Sequence, residues 1–298
     1  MLCVTVAALL SWGCAESRPP EFTGEAAWRY LNEQCELGPR PPGTPAHDST
    51  VVYIVDRLRA AGARVSLQRF EIDDPYRPGR LALTNVVGSF APETRKRVLL
   101  AAHYDTRPRA DQETVDSLKT RPIVGANDAA SGVAVLLEMG EILGTRAPRG
   151  LGVDLVFFDG EDYGKEGDLE HYLLGSKYFA ANLGGYRPEA GVLLDMVGAI
   201  GARIGQEGNS LTGAPELTAD LFRRAKELEL DVFVARRVPP VYDDHVPLLQ
   251  AGIPVVDFIG MPYRYWHTLA DTPDKCSRDT LRQVGTLLVD FLYNRSAE

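Results

Sequence analysis

Residues 153–164 read VDLVFFDGEDYG, and the interpretation of this stretch decides the fold. Val153, Leu155, Val156, Phe157 and Phe158 make a nearly continuous apolar run of strand length, the pattern of a strand buried on both faces. Asp159, Glu161 and Asp162 follow, with only Gly160 among them. Acids gathered at the end of a buried strand repel one another and lose hydration. The arrangement calls for a positive partner.

Working outward, similar strands are predicted in RVLLAAHYD, GVLLDMV and IPVVDFIG. RVSLQRFEI and LALTNVVGSF alternate like a hairpin around the loop DDPYRPGR. Helical spacing is predicted over 24–38, 46–61, 128–143, 215–229 and 278–293. Apolar strands alternating with helices imply a single α/β domain, with a mostly parallel or mixed sheet covered by helices on both faces. No linker interrupts the region from residue 24 onward, so 24–298 is read as one domain.

In such sheets, functional groups collect at the carboxyl ends of the strands. Here those ends carry His103 and Asp105, then Glu161 and Asp162, then Asp195. Asp128 precedes a helix, and His267 follows the last strand. Asp128, Asp162 and His267 form a set of two carboxylates and one imidazole. Zinc takes O and N donors at roughly 2.0–2.2 Å and, in catalytic sites, keeps one position open. A divalent cation at this edge would offset the carboxylate repulsion. Taken singly, Asp128 reads as a helix cap, Asp271 and Asp274 as turn and cap residues, Asp159 as structural, and Arg107, Arg109 and Arg121 as solvated charge. His245 reads as a residue that holds the loop presenting Asp243, and His47 receives no role.

The blocks AAHYDTRP, GANDAASGVAVLLE, FFDGEDYG, LLDMVGA, DDHVPLLQAGIPV and WHTLADTPDK resemble, in this order, the M28 zinc peptidase family. They look most like its glutaminyl-peptide cyclotransferase branch, over about residues 26–293. The resemblance implies a phosphorylase/hydrolase-like fold and one zinc on Asp128, Asp162 and His267. It also implies Glu161 as general acid/base, Asp195 and Asp243 in an acidic hydrogen-bond network, and Trp266 as a wall of the substrate pocket. The substrate implied is the amino terminus of a peptide, with Gln cyclised to pyroglutamate. M28-type aminopeptidases carry two metals, and His103 with Asp195 would then hold the second. Asp243 ahead of Asp244-His245, and Trp266 directly before His267, match the cyclase pattern. The loop YGKEGDLEHYLLGS lacks a Trp that this branch carries, and His171 or Tyr172 could substitute for it. A non-catalytic exported binding domain is the third reading.

The formal net charge of −9 argues against nucleic-acid binding, which needs a basic face. MLCVTVAALLSWGC suits a signal peptide over residues 1–14, with Cys14 as a candidate lipid-bearing residue and the only expected membrane link. Residues 15–23 then form a tether. An exported protein, periplasmic or anchored at the cell envelope, is expected, as is a monomer. Cys35 and Cys276 could pair, but nothing in the sequence brings them together.

Overall fold

The computed structural model describes residues 18–295, so the expected signal peptide of residues 1–14, with Cys14 as the candidate lipid-bearing residue, lies outside the described residues. Helix α1 (Glu25–Glu36) and α2 (Pro45–Ala60) lead into a hairpin of β1 (Arg64–Asp73) and β2 (Arg80–Phe90). β3 (Arg97–His103), α3 (Ala130–Thr145), β4 (Gly152–Phe158), α4 (Leu174–Ala181) and β5 (Ala190–Asp195) follow. A small parallel pair, β6 (Ile204–Gln206) and β7 (Phe233–Arg237), is interrupted by α5 (Gly208–Gly213) and α6 (Pro215–Glu227). The chain continues through α7 (His245–Gln250), β8 (Val255–Ile259) and α8 (Arg278–Arg295).

The main sheet has six strands in the order β1-β2-β4-β3-β5-β8. β4, β3, β5 and β8 run parallel, while β1 and β2 are antiparallel additions at one edge. The four parallel strands therefore deliver their carboxyl ends to one edge, which is where the acids and histidines lie. Side chains alternate across the sheet with a period of two. Val98, Leu100 and Ala102 of β3 enter one core with α1, α2, α3 and α8, and Leu99 and Ala101 enter the other with Phe179 of α4 and Leu248 of α7. Both faces are thus covered, and the strands read as apolar runs for that reason.

α3 is buried almost all round and carries Asp128 just ahead of its first turn. It lies so close to β5 that a Cβ on Gly132 would meet the backbone oxygen of Leu194 at 2.5 Å. Two sequence expectations are corrected here. The helix begins at Ala130, and Asp128 makes no capping bond to it. The tether stops short of residue 23: Phe22 is buried in the main core, and the Glu138 carboxylate of α3 accepts the N–H groups of Thr23, Gly24 and Ala27. Among the described residues, Cys35 and Cys276 are free thiols, and no helix is long and apolar enough to cross a membrane.

Candidate functional site

Asp159, Glu161 and Asp162 sit on the turn that leaves β4, where Gly160 adopts φ 68°, a conformation open to glycine at little steric cost. The three carboxylates part company at once. Asp159 turns inward to His47 Nε2 at 2.8 Å and accepts the Thr84 N–H at 2.6 Å, so its role is structural. The Glu161 and Asp162 N–H groups donate to the two oxygens of Asp105, at 3.0 and 3.2 Å. This fork fixes the backbone from which the tandem acids diverge.

Asp128, Asp162 and His267 come together. His267 Nε2 lies 3.6 Å from Asp128 Oδ2 and 3.4 Å from Asp162 Oδ1. One ligand atom from each residue falls within 4.8 Å of the others, and all three residues are buried. Asp162 Oδ2 has no hydrogen-bond donor among the described residues. Two carboxylates and one imidazole that converge with an unpartnered buried oxygen fit a zinc ion, which would hold them together against their repulsion. His267 itself has φ 53° and Met196, just after Asp195, φ 50°, so sparsely populated backbone conformations cluster at this edge.

A second group shares Asp128. His103 Nε2 is 3.2 Å from both Asp128 Oδ1 and Asp195 Oδ1, and His103 Nδ1 is 3.6 Å from Asp105. Burial opposes charge on His103, but the surrounding Asp105, Asp128 and Asp195 raise its affinity for a proton well above the ordinary value. Glu161 lies beside this group with its side chain only 14% exposed. Burial pushes its carboxyl well above the usual range; His103 opposes the rise, and Asp162 and Asp243 add to it. That is the direction required of a group that both takes up and returns a proton.

Glu161, Asp195 and Asp243 line a cavity of about 100 Å³ together with Asp128, Asp162 and His267. Its apolar wall includes Trp266, Tyr172, Tyr242 and Met261. Trp266 stacks on His267 with ring centroids 3.9 Å apart. Of the two candidates for the missing Trp, Tyr172 lines the cavity, whereas His171 turns to Asp168 at 2.9 Å.

The main residue the sequence reading misplaced is Arg107. It is 1% exposed rather than solvated, because its Nη1 contacts Asp162 Oδ1 at 2.6 Å and its Nε and Nη2 grip Asp111 at 2.8 and 2.5 Å. Nη2 also donates to the Tyr172 hydroxyl at 2.8 Å. Asp111, unnoticed in the sequence, lies 3.5 Å from His267 Nδ1. Arg107 and Asp111 thus hold two of the three candidate ligands from behind, as outer partners of metal sites do. Arg109 is half-buried and donates to the carbonyls of Tyr163 and Gly164. Asp271 is more than a turn residue: it is buried and accepts the N–H groups of Asn127 and Asp128, so it sets the direction of the Asp128 backbone. No local signal marked these partners.

The profile of peptidase family M28 matches residues 85–292. The structure is similar to that of Porphyromonas gingivalis glutaminyl cyclase, with a TM-score of 0.88 and 38% identity over 92% of this chain and 99% of that one. It is equally similar to a Zn-dependent exopeptidase from Parabacteroides distasonis, with a TM-score of 0.90 and 34% identity over 93% of this chain and 100% of that one. A glutaminyl-peptide cyclotransferase-like protein of Bos taurus is 27% identical over 288 residues, covering 85% of this chain and 71% of the relative. The profile match spans the strand ends, the tandem acids and His267, and the chain belongs to peptidase family M28.

Proposed function

We propose that this chain is a glutaminyl-peptide cyclotransferase that works with one zinc ion on Asp128, Asp162 and His267. The observation that carries the reading is the cavity of about 100 Å³, walled by Trp266 and Tyr172 and floored by Glu161, Asp195 and Asp243. Such a space suits one short, flat amide side chain folded back on its own amino group. The names of the relatives from Porphyromonas gingivalis and Bos taurus support it.

In the reaction, the α-amine of an amino-terminal Gln attacks the carbonyl carbon of its own side-chain amide. A C–N bond forms, the bond to the amide nitrogen breaks, and ammonia leaves with pyroglutamate remaining. The attack is intramolecular, so the pocket's task is to hold the side chain in a near-attack shape. Trp266 and Tyr172 provide the flat walls for this. Zinc, when bound, supplies a Lewis acid for the amide oxygen. Glu161 takes the proton from the attacking amine and returns it to the leaving nitrogen. Asp195 and Asp243 border Glu161 and orient the nitrogen as it departs.

A second reading is supported by the group of His103, Asp128 and Asp195, which offers a second metal position sharing Asp128. A two-metal aminopeptidase would use Glu161 as the base for water. Incubation with Gln-Ala and with leucine p-nitroanilide separates the two. The cyclase releases one ammonia per Gln-Ala, keeps the peptide bond and frees no nitroaniline. Nitroaniline release, or Ala from Gln-Ala without ammonia, sinks the proposal. One zinc per chain in the purified protein agrees with it, and two agree with the peptidase. Export through residues 1–14 completes the proposal; palmitate labelling decides whether Cys14 bears lipid.

A further inference from the structure

The wall that carries Tyr172 is built on a segment with little apolar anchorage. Between Gly164 and Leu173 the chain runs through Lys165, Glu166 and Gly167, all exposed, and Leu169, 58% exposed. Its order therefore rests on polar contacts, which must outweigh the entropy lost on fixing the backbone. The first half is pinned by Tyr76 of the β1–β2 hairpin, whose hydroxyl donates to Asp168 at 2.6 Å and accepts the Lys165 N–H at 2.9 Å.

The second half is pinned by Lys177 of α4. Its Nζ donates to the carbonyls of Leu169, Glu170 and Tyr172 at 3.0, 2.9 and 2.7 Å. An ammonium has three donors, so all of them go to main-chain oxygens of one short turn. The base from which Lys177 reaches is itself tied to the acid turn. The N–H groups of Leu173, Leu174 and Gly175 donate to the carbonyls of Glu161, Gly160 and Asp159 at 3.0, 3.2 and 2.8 Å. The same Nζ lies 5.7 Å from the centre of the Tyr242 ring, within cation–π range. Tyr172 and Tyr242 both line the cavity, whereas Lys177 stands behind them.

Tyr172 is also held at its far end. Its hydroxyl meets Arg107 Nη2 at 2.8 Å, and its ring lies so close to Gly164 that a Cβ there would come within 2.1 Å of it. Hydroxyl, ring and carbonyl thus have separate supports, and the support of the carbonyl is Lys177.

We propose that Lys177 is a positioning residue for the substrate pocket: its ammonium, clamped on three carbonyls of the 169–172 turn and set beside Tyr242, fixes how far apart the two tyrosine walls stand. A lysine on a helix surface ordinarily extends its charge into water. This one is half-buried and turns its charge onto the backbone that carries a wall. The inference rests on the reading of the cavity as the pocket for a peptide's first residue, and it holds whether the site cyclises or hydrolyses. Loosening the clamp leaves Glu161 and the candidate zinc ligands on their own supports, so binding should suffer before chemistry.

The test uses the zinc-loaded protein and whichever of Gln-Ala and leucine p-nitroanilide the wild type turns over. A failure of the cyclase reading then shows in the wild type alone, apart from any failure of this inference. Lys177→Met keeps the aliphatic stem and loses the donors. It should raise KM about tenfold while kcat stays within about threefold and zinc stoichiometry is unchanged. Tyr172→Ala should raise KM by itself, and adding Lys177→Met to it should raise KM by less than about threefold more, because the wall through which the lysine acts is already gone. An unchanged KM in Lys177→Met, a fall in kcat at constant KM, or equal effects of Lys177→Met with and without Tyr172 each overturns the proposal. Should Lys177→Met not fold, Lys177→Gln takes its place in the same cycle and is judged by the same outcomes.

Discussion

Arg107 and Asp162 form an ion pair of 2.6 Å inside the protein, with Asp162 facing the candidate metal position and Arg107 gripping Asp111 behind it. Asp162 thus has a permanent positive neighbour on one side and room for a metal on the other. Arg107→Met would leave Asp162 and Asp111 buried without their cation. Loss of one partner of a buried pair typically costs about 3–5 kcal/mol, so denaturant unfolding should show a drop of that order. Zinc content, measured on the same sample, should fall with it.

Asp111 lies 3.5 Å from His267 Nδ1 and orients the ring so that Nε2 points at Asp128 and Asp162. Asp111→Asn should weaken zinc about 10–100-fold, read by competition with a chromogenic chelator. The fold should persist, since Arg107 keeps Asp162.

In the proposed mechanism Glu161 moves protons and does not hold metal. Glu161→Gln should lower turnover by about 10²–10⁴-fold while zinc stoichiometry is unchanged. Chelation of the wild type should abolish turnover too, and added zinc should restore it.

His47 and Asp159 form a buried pair at 2.8 Å, away from the cavity lining. Burial opposes the charge on His47, but Asp159 prevails and raises it from 6.5 to about 9. The folded state therefore holds a proton that the unfolded chain gives up earlier. The pair's contribution is complete below pH 6.5, declines through the window up to about 9, and is lost above it. The stability difference between wild type and His47→Gln, taken from urea midpoints, should shrink across that window.

Gly132 lets α3 approach β5. In an exposed helix, Gly→Ala gains about 1 kcal/mol, but here the new methyl would meet the Leu194 oxygen at 2.5 Å. Overpacking of this kind costs about 1–3 kcal/mol, so Gly132→Ala should be destabilising on balance. Because α3 carries Asp128 and β5 carries Asp195, zinc affinity should drop as well.

The sheet was legible in the sequence because β3, β4, β5 and β8 are covered on both faces and so are written in apolar residues. The convergence of Asp128, Asp162 and His267 was legible because each stands at a strand end or at the mouth of a loop. β6 and β7 escaped notice because one has only three residues and the other is half exposed. Arg107 and Asp111 escaped for a different reason: they lie on the long polar stretch between β3 and α3, where a buried cation and a solvated one look alike until folding pairs them. Asp154 did leave a trace. A lone acid inside VDLVFF is conspicuous, and Asp154 proves to be paired with Arg97 at 2.6 Å.

Asp105 binds two consecutive peptide N–H groups, those of Glu161 and Asp162. Because one carboxylate is seated on both, the proposed proton carrier and the candidate ligand cannot trade places by a slip of the chain. Any insertion or deletion between β4 and Asp162 must preserve that two-point seat. The spacing of this turn is accordingly far less tolerant of change than the identity of the pocket walls around it. Exchange of Tyr172 or Tyr242 would reshape the cavity wall without touching that seat, whereas a change of length ahead of Asp162 would unseat both acids.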